Sequence, residues 1–86
     1  MADNEYTTVA LLKDPDGVFA HVTSRRNRNG IVQYSYSFYR EFEKNGETHK
    51  TSWFSPRHLP ALVRLTHDVQ EALELERERG ARRPRM

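Results

Sequence analysis

Residues 31–43, IVQYSYSFYREFE, alternate between two sets of side chains without a break, and this constrains the fold more than any other feature. A period of two is the period of a β-strand. The even positions carry Val32, Tyr34, Tyr36, Phe38, Arg40 and Phe42; the odd positions carry Ile31, Gln33, Ser35, Ser37, Tyr39 and Glu41. Lys44-Asn45-Gly46-Glu47 follows, and Asn-Gly is the strongest short signal for a two-residue hairpin turn. Residues 48–54 then read as the partner strand. Ser55-Pro56 opens a helix, with a hydroxyl at the N-cap and proline at the first helical position. Residues 31–59 thus hold a strand, a turn, a strand and a helix cap, together with seven of the eight aromatic side chains that follow Tyr6.

The flanking segments extend this pattern. Residues 6–12, YTTVALL, are rich in β-branched side chains and read as a strand. Lys13-Asp14-Pro15-Asp16-Gly17 reads as a turn, with Pro15 presetting φ and Gly17 supplying a positive φ. Residues 18–24 form a second strand, with Val18, Ala20 and Val22 on one side and Phe19, His21 and Thr23 on the other. Arg25-Arg26-Asn27-Arg28-Asn29-Gly30 is a basic loop closed by a further Asn-Gly. Downstream, Pro60 disfavours a helix interior, so residues 55–59 read as a loose first turn and the regular helix as starting at Pro60. Leu59, Leu62, Leu65, Val69, Ala72 and Leu73 share one stripe at 100° per residue, the pattern of a helix lying on a sheet. Val63 and Leu75 fall off that stripe, and Gly80 ends the helix. The expected fold is α+β, a four-stranded antiparallel β-meander followed by one long C-terminal helix (β-β-β-β-α). Residues 6–79 form its single domain, 1–5 a frayed N-terminus and 80–86 a disordered basic tail.

A chain of 86 residues buries only about 60% of its unfolded surface, so a dimer would add stability. Val63 and Leu75, off the stripe, point the same way, to a dimer formed through the helix. The chain has no cysteine, which excludes disulfides and thiolate metal sites. No apolar run approaches the ~18 residues of a membrane span, and no signal-peptide pattern precedes Tyr6. The expected location is cytoplasmic, or nucleoid-associated or nuclear if the chain binds DNA.

The net charge of +2 is unevenly spread. Residues 17–64 carry +5, residues 65–76 carry −4, and residues 77–86 carry +4. A basic middle beside an acidic helix suggests a directed anion-binding surface. Enzymatic chemistry is not expected. His21, His49, His58 and His67 make no i, i+4 pair and no metal-ligand spacing, and no phosphate-cradling glycine loop or G-x-S-x-G is present. Ser55, His58 and Asp68 resemble a triad in composition only, because an N-cap accounts for Ser55. No cofactor, metal or small-molecule substrate is implied.

What remains is aromatic side chains beside cations on exposed strands, the composition of single-strand nucleic-acid platforms. The cations are Arg25, Arg26, Arg28, Arg40, Lys50 and Arg57; the platforms are Phe19, Tyr39 and Trp53. Tyr34, Tyr36, Phe38 and Phe42 are expected to face the helix as core, since Gln33, Ser35 and Ser37 could not bury enough apolar area. Tyr39 and Trp53 fit either role. The Arg25–Arg28 cluster fits a phosphate clamp and a merely solvated loop equally well.

Residues 50–59, KTSWFSPRHL, resemble the strand-into-helix segment of the positive cofactor four family of single-stranded DNA-binding transcriptional coactivators. There a lysine opens the last strand, an aliphatic residue ends it, and an Asn/Ser-Pro cap starts the helix with a large apolar residue three positions on, here Leu59. Arg40-Glu41-Phe42 is similar to that family's R-E-aromatic motif, again followed by a glycine-containing turn. The resemblance covers roughly residues 17–75. It implies a homodimer paired through helices and strand ends, with single-stranded DNA or RNA across the exposed sheet, serving transcription, replication or repair. By position it points to Arg40, Lys50 and the basic region around Arg25, Arg26 and Arg28. Tyr39 stands where an aliphatic residue is usual and Trp53 where a small polar one is. These departures leave open the reverse facing, with Tyr34, Tyr36 and Phe38 as the platform and Tyr39 inside. The expected function is single-stranded nucleic-acid binding with weak sequence preference, through Arg25, Arg26, Arg28, Tyr39, Arg40, Lys50 and Trp53. The alternative is a protein-assembly module that uses the same sheet face.

Overall fold

The chain forms a four-stranded antiparallel meander followed by a helix, in a computed structural model that describes the backbone of residues 6–81 and the side chains of residues 6–79. The strands are β1 (Thr7–Lys13), β2 (Val18–Arg26), β3 (Val32–Lys44) and β4 (Glu47–Thr51), hydrogen-bonded in sequence order. A 3-10 turn (Pro56–His58) leads into α1 (Leu59–Ala81). The expected order of elements is the observed one. β4 ends three residues earlier than its sequence suggests, and α1 runs through Gly80 to Ala81 instead of stopping at Gly80. The expectations for residues 1–5 and 82–86 lie outside the described residues.

The turns do what their residues dictate. Asn45 and Gly46 have φ of 55° and 79°, the left-handed pair that a two-residue turn requires to join Lys44 to Glu47. The other two hairpins share a different design. In each an Asx side chain accepts the backbone N–H two residues on: Asp14 Oδ1 from Asp16, and Asn27 Oδ1 from Asn29. At the start of the helical segment the Ser55 N–H donates to His58 Nδ1, 3.0 Å away, while the His58 N–H donates to the Ser55 carbonyl.

The core is one seam between β2 and α1. Val18, Ala20 and Val22 from the even side of β2 meet Ala61, Leu65 and Val69 from the helix, all essentially inaccessible to solvent. A register shift between Thr8 and Ala10 leaves Val9 without a β2 partner, and Val9, Ala10 and Leu12 all pack against this seam. Alanines at Ala20 and Ala61 leave room for the helix to lie close to β2. Two expectations need correction here. Leu59, assigned to the buried stripe, is 57% exposed. Tyr34, Tyr36 and Phe42 do share the helix side of the sheet, but all three are exposed, and of that set Phe38 alone packs against the core.

The reason is width. A helix is about 10 Å across and strands lie about 4.8 Å apart, so one helix covers roughly two strands of four. Here α1 lies over β1 and β2 and meets β3 only in part, at Phe38, so most of the helix side of β3 and β4 is left bare. β4 pairs with β3 only between Arg40 and Lys44, so residues 32–38 of β3 have one strand neighbour instead of two. The molecule measures 54 × 31 × 17 Å, and its radius of gyration of 15.8 Å exceeds the ~12 Å of a compact chain this long.

One ion pair fixes the helix to the first hairpin. Asp14 is 4% exposed and its carboxylate accepts from Arg64 Nε at 2.8 Å and Arg64 Nη2 at 2.9 Å. Arg64 also reaches Asp16 at 3.3 Å. The Arg64 hydrogen bonds first, and the Asp16 backbone N–H second, hold the Asp14 carboxyl at about 2, below its ordinary 3.8. A carboxyl with a depressed folded-state pKa stabilises fully above its unfolded value and loses that contribution as pH falls through the folded one. Asp14→Asn retains an acceptor for the turn but discards the charge. Wild type is therefore expected to melt higher than this variant at pH 7, with the gap closing between about pH 4 and pH 2. Thermal melts across that range check it; a gap that persists below pH 2 would dissociate the effect from Asp14.

Candidate nucleic-acid interface

The face of the sheet opposite α1 carries the odd residues of β2 and β3. Antiparallel pairing places Lys13 opposite Phe19 and Phe19 opposite Tyr39, one side chain per strand along a single row. The Phe19 and Tyr39 rings stack with centroids 5.0 Å apart and planes within 7°. Lys13 Nζ lies 5.6 Å from the Phe19 centroid, and Lys50 Nζ reaches diagonally from β4 to 4.8 Å from the Tyr39 centroid. The row therefore reads ammonium, ring, ring, ammonium, and spans the sheet from edge to edge.

Along β2 and β3 from this row the face turns polar. His21 sits opposite Ser37, and Thr23 opposite Ser35. His21 Nε2 and Thr8 Oγ1 are 2.9 Å apart. At the far end Arg25 donates to Gln33 Oε1 at 3.3 Å, and its guanidinium lies 5.5 Å from the Tyr6 ring. Tyr39 and Gln33 are six residues apart, so the polar strip runs about 20 Å. Three cations, Lys13, Lys50 and Arg25, face two carboxylates, Glu41 opposite Lys50 and Glu43 opposite Thr48.

The seven side chains expected from sequence divide between the two faces. Arg25, Tyr39 and Lys50 stand on the helix-free face. Arg40 stands on the helix side, its Nε donating to the Trp53 carbonyl at 2.8 Å and its guanidinium 5.8 Å from the Phe42 ring. Trp53 follows β4 and is 82% exposed. Arg26 donates to the Gly30 carbonyl and Arg28 projects from the turn, both at the Arg25 end of the sheet. Tyr39 is not inside, so the reversed facing does not hold. Lys13 is the member of the row that sequence reading misses. Assigned to the turn, it is in fact the last residue of β1, and continuing the alternation from Leu11 would have found it.

Among the described residues, no group of three or more His, Cys, Asp or Glu side chains is placed to hold a metal ion. No described helix is long and apolar enough to cross a membrane. Comparison of the chain with family models, with curated proteins and with solved structures found no match.

Proposed function

We propose that the chain binds single-stranded nucleic acid, DNA before RNA, across the helix-free face of the sheet. The observation that carries this reading is the Lys13–Phe19–Tyr39–Lys50 row. Both outer ring faces are occupied by ammonium groups in the free protein. An exposed cation–π contact is worth about 0.5–1 kcal/mol, whereas stacking a base on an aromatic ring is worth roughly 1–3 kcal/mol. Exchange is therefore favourable: each lysine swings to a phosphate and a base takes its place on the ring. Hydroxyls, the His21 imidazole, the Gln33 amide and the Arg25 guanidinium fill the rest of the strip. His21 and Arg25 are already engaged with Thr8 and Gln33, which leaves little to distinguish one base from another, so sequence preference is weak. The positive cofactor four resemblance adds two proposals of its own, a homodimer and a role in transcription, replication or repair.

Fluorescence anisotropy of a labelled thymidine oligonucleotide tests this. Binding should weaken with salt, with a slope near −2 in log K against log salt for three cations on a single strand. Tyr39→Ala should weaken binding about tenfold, with the protein still folded by its melting curve. No binding at low salt, or binding indifferent to salt, removes the reading.

A second reading, self-assembly with no nucleic acid, is favoured by a different observation: the apolar helix side of β3 that α1 leaves uncovered.

A further inference from the structure

The uncovered helix side has a defined shape. Where β3 passes the end of α1, Tyr34, Gln70, Leu73, Glu74 and Arg77 line an open slot of about 350 Å³, largely apolar within. A cavity of about 150 Å³ holds a benzene, so this one accommodates an indole. Its rim supplies what an indole needs: the Gln70 and Glu74 side chains can accept the ring N–H, and the Arg77 guanidinium can lie over a ring face.

The chain also carries a single tryptophan, and among the described residues it is the most exposed of the large apolar side chains. Trp53 cannot reach the slot of its own molecule. It is tied through its carbonyl to Arg40, six β3 residues or about 20 Å from Tyr34. A second copy placed antiparallel, with its two-fold axis near Tyr36, would bring its Trp53 to the slot end of the first copy's β3 and would receive the first copy's Trp53 in return. Such reciprocity is what a two-fold interface imposes.

Charge and area agree with this occupant. The Trp53 carbonyl accepts from Arg40, whereas the helix around the slot, residues 65–79 with Arg77 and Arg79 included, carries −3. Antiparallel pairing sets the basic end of one copy against the acidic end of the other, and the same acidity disfavours a nucleic-acid strand there. Tyr34, Tyr36, Phe42, Trp53, Leu59 and Val63 present on the order of 700 Å². A stable interface takes about 800 Å² per partner.

We propose that a second copy of this chain covers the bare helix side of β3, with Trp53 of each copy seated in the other's slot between β3 and α1. This rests on the self-assembly reading and assigns its anchor. It also leaves the helix-free face open on both copies.

The test uses the intact chain. Light scattering and sedimentation against concentration report the oligomer, and Trp53 fluorescence, from the only tryptophan, reports its surroundings. Emission should shift to the blue as dimer forms. Trp53→Ala should raise the dimer Kd about thirtyfold or more, as loss of a central anchor does, with the melting curve of the monomer unchanged. Gln70→Trp, which fills the slot, should do the same. Mixing these two variants should restore association between unlike copies, because that pair alone keeps one tryptophan facing one open slot. A dimer whose Trp53 emission stays that of water-exposed indole, or which Trp53→Ala leaves intact, overturns the anchor while self-assembly stands. A monomer at every concentration overturns both. A blue shift induced in the monomer by an oligonucleotide assigns the slot to nucleic acid and also overturns the proposal.

Discussion

Leu65→Ala is expected to cost about 2–5 kcal/mol and to leave much of the protein unfolded at 37 °C. Leu65 is fully buried and has the largest side chain of the sealed core; its companions there are Val18, Val22, Val69 and two alanines. Alanines contribute little buried area, so the seam between β2 and α1 depends on one leucine and three valines. Domains of this size have about 5–15 kcal/mol in total, and one with half its sheet face bare stands toward the lower end. Urea unfolding at neutral pH measures the loss, with an unchanged slope confirming that the native state still forms. Leu75→Ala, on an exposed side chain of the same helix, should stay within about 0.5 kcal/mol. Equal losses at the two sites would mean that the core lies elsewhere.

Reversing both charges of the cross-sheet row, Lys13→Glu with Lys50→Glu, is expected to weaken oligonucleotide binding by more than about a hundredfold at low salt. Each lysine lost from a phosphate forfeits about 1.5 kcal/mol, the two together about 3 kcal/mol, and the new carboxylates add repulsion. The matched control, Lys44→Glu with Arg79→Glu, makes the same change in net charge away from both the row and the slot. It should leave binding within about threefold. If both pairs weaken binding equally, net charge alone attracts the strand and the row has no special part in it.

Much of this architecture is legible in the sequence, because the residues that specify it act locally. The turn at Asn45-Gly46 follows from two residues able to take positive φ. The alternation of Val18, Ala20 and Val22 against Phe19, His21 and Thr23 fixes which way β2 faces. The same alternation puts Tyr34 and Tyr36 on the helix side, but alternation reports side and not cover. Whether a facing residue is buried depends on where a helix about 10 Å wide comes to lie, and that is decided by distant contacts. The Asp14–Arg64 pair is one of them, joining residues 50 apart with no local pattern to announce it. The candidate interface was half legible for a related reason. Tyr39 and Lys50 stand out as an aromatic and a cation on neighbouring strands, but Lys13 looks like part of a Pro-Asp-Gly turn until β1 is seen to run through it.

The shortness of β4 has a consequence for the life of the chain in a crowded solution. Because β4 stops at Thr51, residues 32–38 of β3 present an open ladder of peptide N–H and carbonyl groups on the side away from β2. That segment, VQYSYSF, has no charge, no proline and no glycine, and it is built from residues that favour extended chains. Protein edges are usually guarded by lysine, proline or a bulge, and this one has none of them along its length. Stripped of any covering, it is a template on which another extended chain can add, the first step toward stacked cross-β growth. Raised concentration should therefore favour fibrous deposits of the lone chain, read as a rise in thioflavin fluorescence that a lysine substituted within residues 32–38 suppresses.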